Sequence, residues 1–127
     1  MKISEVLDRV QQLKPNTIGD DIIRSFIEEC DRKVYTEIVA KDYPNEGEII
    51  QPENERYPFG GKDVELLAKD EYASLYLYYA MAQIDFLNSE YERYNNETIR
   101  FNNEFEAFSA WYTSTHKSKM PSKLKVE

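Results

Sequence analysis

Residues 93–104 read RYNNETIRFNNE, and one phrase occurs in them twice: Arg93-Tyr94-Asn95-Asn96-Glu97, then Arg100-Phe101-Asn102-Asn103-Glu104. Paired asparagines favour turns, because the short amide competes for backbone hydrogen bonds and tolerates left-handed geometry. A seven-residue echo belongs instead to a long packed helix. If Asn95-Asn96 stopped a helix, Asn102-Asn103 in the same setting would stop it again. About five residues would remain between the stops, too few for a helix to nucleate. Both pairs cannot be turns, so the doubling favours helix through both.

Working outward, apolar residues alternate three and four apart: Leu77, Ala80, Ile84, Leu87, Tyr91, Tyr94, Thr98, Phe101, Phe105, Phe108 and Tyr112. Only Thr98 departs from the apolar type. This is the a/d seam of a heptad repeat. Asn88, Asn95 and Asn102 share a second stripe. Arg93 and Arg100 fall within reach of Glu90, Glu97 and Glu104 at i±3 and i±4, pairs worth about 0.2–0.5 kcal/mol each. The pattern predicts helix over residues 72–115, continuous or kinked. Such a helix would be about 66 Å long at 1.5 Å per residue. A compact domain of this size has a radius of gyration of only about 14 Å. Either neighbouring subunits cover the projection, or a break near Asn95-Asn96 folds the run into two helices.

The first half is also helical in pattern. Ser4 is placed to cap a helix ending near Leu13, before Pro15. Thr17 and Asp20 form a threonine-x-x-acid start for a second helix reaching Val39 or Lys41. Its apolar stripe is Ile22, Ile23, Phe26, Ile27, Cys30, Val34, Tyr35, Ile38 and Val39. Glu28, Glu29, Asp31, Arg32 and Lys33 fall on the opposite, polar side. Residues 43–69 collect Pro44, Gly47, Pro52, Pro58, Gly60 and Gly61, a loop longer than compact domains normally use. Within it, residues 48–50 and 64–67 are candidate extended pieces pairing as a hairpin. Asp70 is placed to cap the next helix, which carries Tyr72, Tyr76, Tyr78 and Tyr79. The expected class is all-α: one helical domain over residues 1–116, and a basic tail over 117–127.

Charge and composition limit the function. The chain of 127 residues carries a net −8, and from Lys117 onward four lysines face one acid. The acidic body disfavours nucleic acid as the main partner, because phosphate contacts need a basic face. No run is long and apolar enough to span a bilayer or serve as a signal peptide. The single cysteine, Cys30, reads as a small core residue, and a chain without a disulfide framework fits a reducing cytoplasm. The single histidine, His116, reads as a helix C-terminal residue whose charge suits the dipole. There is no two-histidine or His-Cys metal spacing, no phosphate loop and no nucleophile elbow. The expectation is a protein that is not an enzyme, with no cofactor, no metal and no membrane partner.

The order of parts is short helix, amphipathic helix, long loop, aromatic helix, final helix and basic tail. With GDDIIRSFIEECDRKVYTEI (19–38), LYLYYAMAQIDFLNSEYERYNNE (75–97), RFNNEFEAFSAWY (100–112) and His116, the chain resembles the head–tail connector (adaptor, or head-completion) proteins of long-tailed bacteriophages. The resemblance covers most of the chain through diffuse Tyr, Asn and Phe patterns. It implies a structural subunit of the virion neck, made in the host cytoplasm. Copies form a homo-oligomeric ring, a dodecamer in that family, between the portal protein and a stopper or tail-completion protein. DNA passes through the channel without specific binding. Carried onto this chain, portal contact points to Lys117, Lys119, Lys123 and Lys125. The subunit interface points to Tyr76, Tyr79, Asn88, Tyr91, Tyr94, Asn95, Asn102 and Phe105, with the asparagines as a register-setting edge. The alternative is a small acidic binding or inhibitor protein that sequesters a basic partner.

Overall fold

The long heptad run does break, but at Asn88–Glu90 and not at either asparagine pair. The computed structural model describes residues 1–120. It contains α1 (Ile3–Leu13), α2 (Asp20–Glu37), a one-turn α3 (Glu53–Arg56), α4 (Ser74–Leu87) and α5 (Tyr91–Thr115). Single 3₁₀ turns occupy Val39–Lys41 and Asp70–Tyr72. The fold is all-α, and the described residues contain no strand, only two isolated bridges, Lys2 with Glu65 and Asp42 with Ser118.

The reversal after α4 is a Schellman motif. Ser89 N–H donates to the Phe86 carbonyl at 3.1 Å, and Glu90 N–H donates to the Asp85 carbonyl at 2.8 Å. These bonds satisfy two carbonyls that a helix end leaves free. The left-handed residue is Ser89 at φ 58°, a position glycine normally holds. Both asparagine pairs lie inside α5, whose 25 residues span about 38 Å. The size conflict of a 66 Å rod therefore disappears.

After the reversal the heptad seam serves as two sides of one antiparallel hairpin. Leu77, Ala80 and Ile84 of α4 and Phe101, Phe108 and Tyr112 of α5 are buried in the common core. Tyr79 packs on Phe101 with ring centroids 5.3 Å apart, and Tyr72 on Phe108 at 5.6 Å. Ser74 Oγ donates to Glu104 Oε2 at 2.7 Å, which leaves Glu104 out of the expected ladder with Arg100. The ladder reduces to Arg93–Glu90 at 3.7 Å and Arg100–Glu97 at 3.3 Å.

The first two helices form their expected stripes with different ends. Helix α1 begins at Ile3, and Lys2 N–H donates to Glu5 Oε1 at 2.7 Å. Ser4 is not the cap: its N–H and hydroxyl bond Asp63 at 3.0 and 2.8 Å. Gly19, not Thr17, precedes α2, and Asp20 and Asp21 sit in the first turn where the helix dipole favours them. Ile23, Ile27, Cys30, Val34 and Ile38 are buried, and burial pushes the Cys30 thiol pKa well up, consistent with a core residue. Asp70 does not cap α4; it begins the preceding 3₁₀ turn and accepts from the Met1 amine at 2.6 Å.

Residues 43–69 do not pair as a hairpin. Ile49 is 91% exposed, while residues 64–66 bond the chain start: Ile3 N–H to the Val64 carbonyl at 3.0 Å, Leu66 N–H to the Met1 carbonyl at 2.9 Å. Tyr57, Phe59, Leu66 and Ala68 from this segment are buried in the main core. What draws them in is Asp31, expected on the polar face of α2 but 0% exposed. Its Oδ1 accepts from Leu67 N–H at 2.9 Å and from the Tyr76 hydroxyl at 2.7 Å. Its Oδ2 accepts from Arg56 Nε and Nη2 at 3.0 and 2.8 Å and from the Tyr57 hydroxyl at 2.7 Å. A buried carboxylate is tolerable only when paired and hydrogen-bonded in this way.

Replacing Ser89 by Gly relieves the left-handed strain and raises stability by about 0.5–1 kcal/mol in urea unfolding. Asp31→Asn points amide hydrogens at existing donors and strands Arg56, costing about 3–5 kcal/mol. Tyr57 and Tyr76 hold their protons well above the ordinary tyrosine range, through burial first and then the Asp31 charge. The folded chain thus keeps protons that the unfolded chain releases above about pH 10. This contribution is whole below pH ~10 and is lost as pH rises further. Tyr76→Phe, besides its hydrogen-bond cost of about 1–3 kcal/mol, makes the alkaline decline of stability shallower.

Candidate functional site

The α4–α5 reversal leaves an apolar end on the molecule. Phe86, Leu87 and Tyr91 are 51–57% exposed, as is Leu13 at the end of α1. The Phe86 ring packs at a tilt against Tyr91 at 5.7 Å and Tyr94 at 5.3 Å, which groups the three rings. Lys14 holds the end of α1 beside them. Its Nζ donates to both oxygens of the buried Asp85 at 2.8 Å. Gln11 Nε2 donates to Asp20 Oδ1 at 2.9 Å, bringing the start of α2 to the same end. Exposed Glu90 and Glu92 adjoin Tyr91 in the chain, with Arg93 on Glu90.

Next to this end, a shallow groove runs between α4 and α5. Tyr79, Ala82, Gln83, Tyr94, Thr98, Phe101 and Asn102 line it. The Tyr79 hydroxyl donates to Glu29, and burial together with that carboxylate raises its pKa.

The residues expected at a subunit interface separate into distinct groups. Tyr79, Tyr94 and Asn102 line the groove, and Tyr91 belongs to the apolar end. Asn88 sits in the reversal and is exposed, so it no longer shares a helical row with the exposed Asn95 and Asn102. Phe105 is half-buried, against Phe101 at 5.3 Å and beneath Lys33 Nζ at 5.6 Å. Tyr76 is the correction. It is fully buried on Asp31 and the Ala68 N–H, so it presents nothing to a neighbour.

Of the lysines assigned to the tail, Lys117 and Lys119 lie against the body. Tyr43 N–H donates to the Lys117 carbonyl at 2.7 Å and Lys119 N–H to the Lys41 carbonyl at 3.0 Å. Lys119 Nζ stands 5.6 Å from the Tyr43 ring centroid. Lys123 and Lys125 lie outside the described residues.

Leu13, Phe86 and the Lys14–Asp85 pair are the elements that sequence reasoning missed. The available signal was Asp85, an acid inside the most apolar stretch of the chain, which needs a buried partner. Among the described residues no three His, Cys, Asp or Glu side chains come together as a metal cluster, and no helix is long and apolar enough to cross a membrane. The chemistry on offer is contact: aromatic surface beside carboxylates. Comparison of the chain with protein-family models, curated proteins and solved structures finds no match.

The ion pair gives a direct test of what holds the apolar end in place. Lys14→Met leaves Asp85 buried and unpaired, costing about 3–5 kcal/mol in denaturant unfolding. Adding Asp85→Leu to that variant recovers most of the loss, because the uncompensated charge is then gone.

Proposed function

We propose that this chain is an assembly subunit, a head–tail connector (adaptor) of a bacteriophage or prophage neck. It joins a portal protein to the next neck protein as part of a ring. The observation that best supports this reading is the apolar end. Phe86, Leu87 and Tyr91 are each about half exposed at the reversal, and Leu13 is half exposed at the end of α1, next to the Lys14 that pairs with Asp85. Contiguous exposed patches of this kind mark interaction sites, and aromatic residues are enriched at interface cores. The order of elements and the Tyr-Asn-Phe pattern of residues 75–112 support the same reading. In this assignment the subunit interface takes Tyr79, Tyr91, Tyr94, Asn88, Asn95, Asn102 and Phe105. Portal contact takes Lys117, Lys119, Lys123 and Lys125. The acidic body suits a DNA conduit, since like charge keeps the polymer off the wall.

The test is to mix the purified chain with a bacteriophage portal protein, and to read stoichiometry by native mass spectrometry and electron microscopy. The expected result is a ring of copies seated on the portal. A Phe86→Ser/Tyr91→Ser double variant keeps the fold, since both side chains are half exposed. It should weaken ring formation by about tenfold or more, the scale of an interface hot spot. A chain that ignores the portal and instead forms a one-to-one complex with a basic protein would overturn the connector reading. That outcome would establish the sequestering alternative.

A further inference from the structure

Residues 121–127, outside the described residues, read PSKLKVE, in which Leu124 and Val126 alternate with Lys123 and Lys125. From Lys117 onward the chain has four lysines and one acid, a net +3, so the −8 of the whole chain leaves −11 on residues 1–116. A basic segment is attracted to an acidic body wherever its length allows. The reach of the chain decides which body that is.

Glu29 and Asp31 of α2 meet Tyr79 and Tyr76 of α4 in that order, so the two helices run antiparallel. The start of α2 therefore lies at the α4–α5 reversal, and its other end points away from it. The tail is tied down at that far end, where Lys119 N–H donates to the carbonyl of Lys41, four residues past α2, at 3.0 Å. The 18 residues of α2 span about 27 Å. Leu124, five residues after Lys119, reaches about 18 Å at full extension. It falls short of Phe86, Leu87 and Tyr91 on its own copy.

We infer that the apolar end receives the tail of a second copy, with Leu124 and Val126 seated on Phe86, Leu87 and Tyr91. The seat is a pair of rings, Phe86 and Tyr91, with centroids 5.7 Å apart, beside half-exposed Leu87. Aliphatic side chains on an aromatic pair make the apolar centre that interfaces are built on. The exposed Glu90 and Glu92 adjoin Tyr91 in the chain and add to the acidic field that draws the lysines in. Extended backbone turns alternate side chains opposite ways, so Lys123 and Lys125 stay on the outer side, compatible with the portal contact proposed for them.

Each copy thus offers a tail at one end and a seat at the other. A contact between unlike surfaces repeats from copy to copy, closing as a ring or continuing as a filament. This inference rests on the assembly reading only for ring closure; the contact between tail and seat needs no portal.

The experiment begins with NMR of the ¹⁵N-labelled full chain titrated with a synthetic peptide of residues 117–127. The peptide should shift the Phe86, Leu87 and Tyr91 amides and leave that of Val34, buried far from the reversal, in place. A peptide carrying Leu124→Asp and Val126→Asp should bind at least about tenfold more weakly, the scale of an interface hot spot. In sedimentation velocity, full chains carrying either Leu124→Asp/Val126→Asp or Phe86→Ser/Tyr91→Ser should stay monomeric at concentrations where the native chain associates. Mixed in equal amounts, these two variants should form a dimer and nothing larger, because one supplies the seat and the other the tail. A double-Asp peptide that binds as well as the native one, shifts that miss the reversal, or a tail variant that associates like the native chain would overturn the inference. The titration uses the native fold, so it decides the matter even where a variant folds poorly. Mixing with a portal separates the two readings. A ring that the tail variant still builds upholds the connector and overturns the tail contact, whereas tail binding without any portal ring does the reverse.

Discussion

Asp31 is a carboxylate with no access to water, and one side of this bundle is arranged to satisfy it. Leaving such a group unpaired costs several kcal/mol, more than most single contacts return. Five hydrogen bonds reach it from Arg56, Tyr57, Leu67 and Tyr76. Those residues come from three stretches distant in sequence, so the bonds act as a spatial constraint and not only as a source of stability. Arg56 is itself largely enclosed, and lies over Tyr57 and Phe59 at 5.5 and 5.3 Å. A segment with the composition of a surface loop is thereby turned into a wall of the core.

The same logic recurs at the opposite end in simpler form. Asp85 closes against Lys14, and this pair determines where α1 stops relative to α4. Helices α2 and α4, which carry Asp31 and Asp85, contribute to the shared apolar core. The polar constraints therefore set positions, while apolar burial supplies most of the driving force. Residues 43–51, which neither of these acids reaches, stay mostly exposed, with Ile49 the most exposed of the large apolar residues.

Much of this was legible in the sequence, and the failures have physical causes. The helical class, the presence of α1 and α2, most of the buried face of α2 (Ile22 excepted, which is half exposed) and helix through both asparagine pairs followed from periodicity. The break did not. Asn88-Ser89-Glu90 contains no glycine or proline, and Ser89 occupies a left-handed position that a serine seldom takes. The heptad spacing also continues across it, so no loss of period announces the turn. Asp31 was misplaced for a related reason. A helical wheel assigns a charged residue to solvent, and the donors that bring it inside lie 25 to 45 residues away. The interface assignment of Tyr76 failed with it, because its hydroxyl is one of those donors.

Heptad periodicity reports that a stripe is buried, and it is silent on what buries it. A continuous helix needs a neighbouring subunit to cover the seam, whereas a hairpin covers the seam with itself. Here Leu77, Ala80 and Ile84 are answered by Phe101, Phe108 and Tyr112 of the same chain. The seam residues left over are those at the reversal, Leu87 and Tyr91, where neither helix has a partner to offer. Together with Phe86 and Leu13 they form the end of the bundle. The apolar seam surface left exposed therefore lies at the start of α5 and not along the rest of its stripe. The doubled asparagines, exposed along α5, border the Tyr79–Phe101 groove through Asn102 alone. An interface that used both the end and the groove would run around the corner of the hairpin, engaging Tyr94 from both sides.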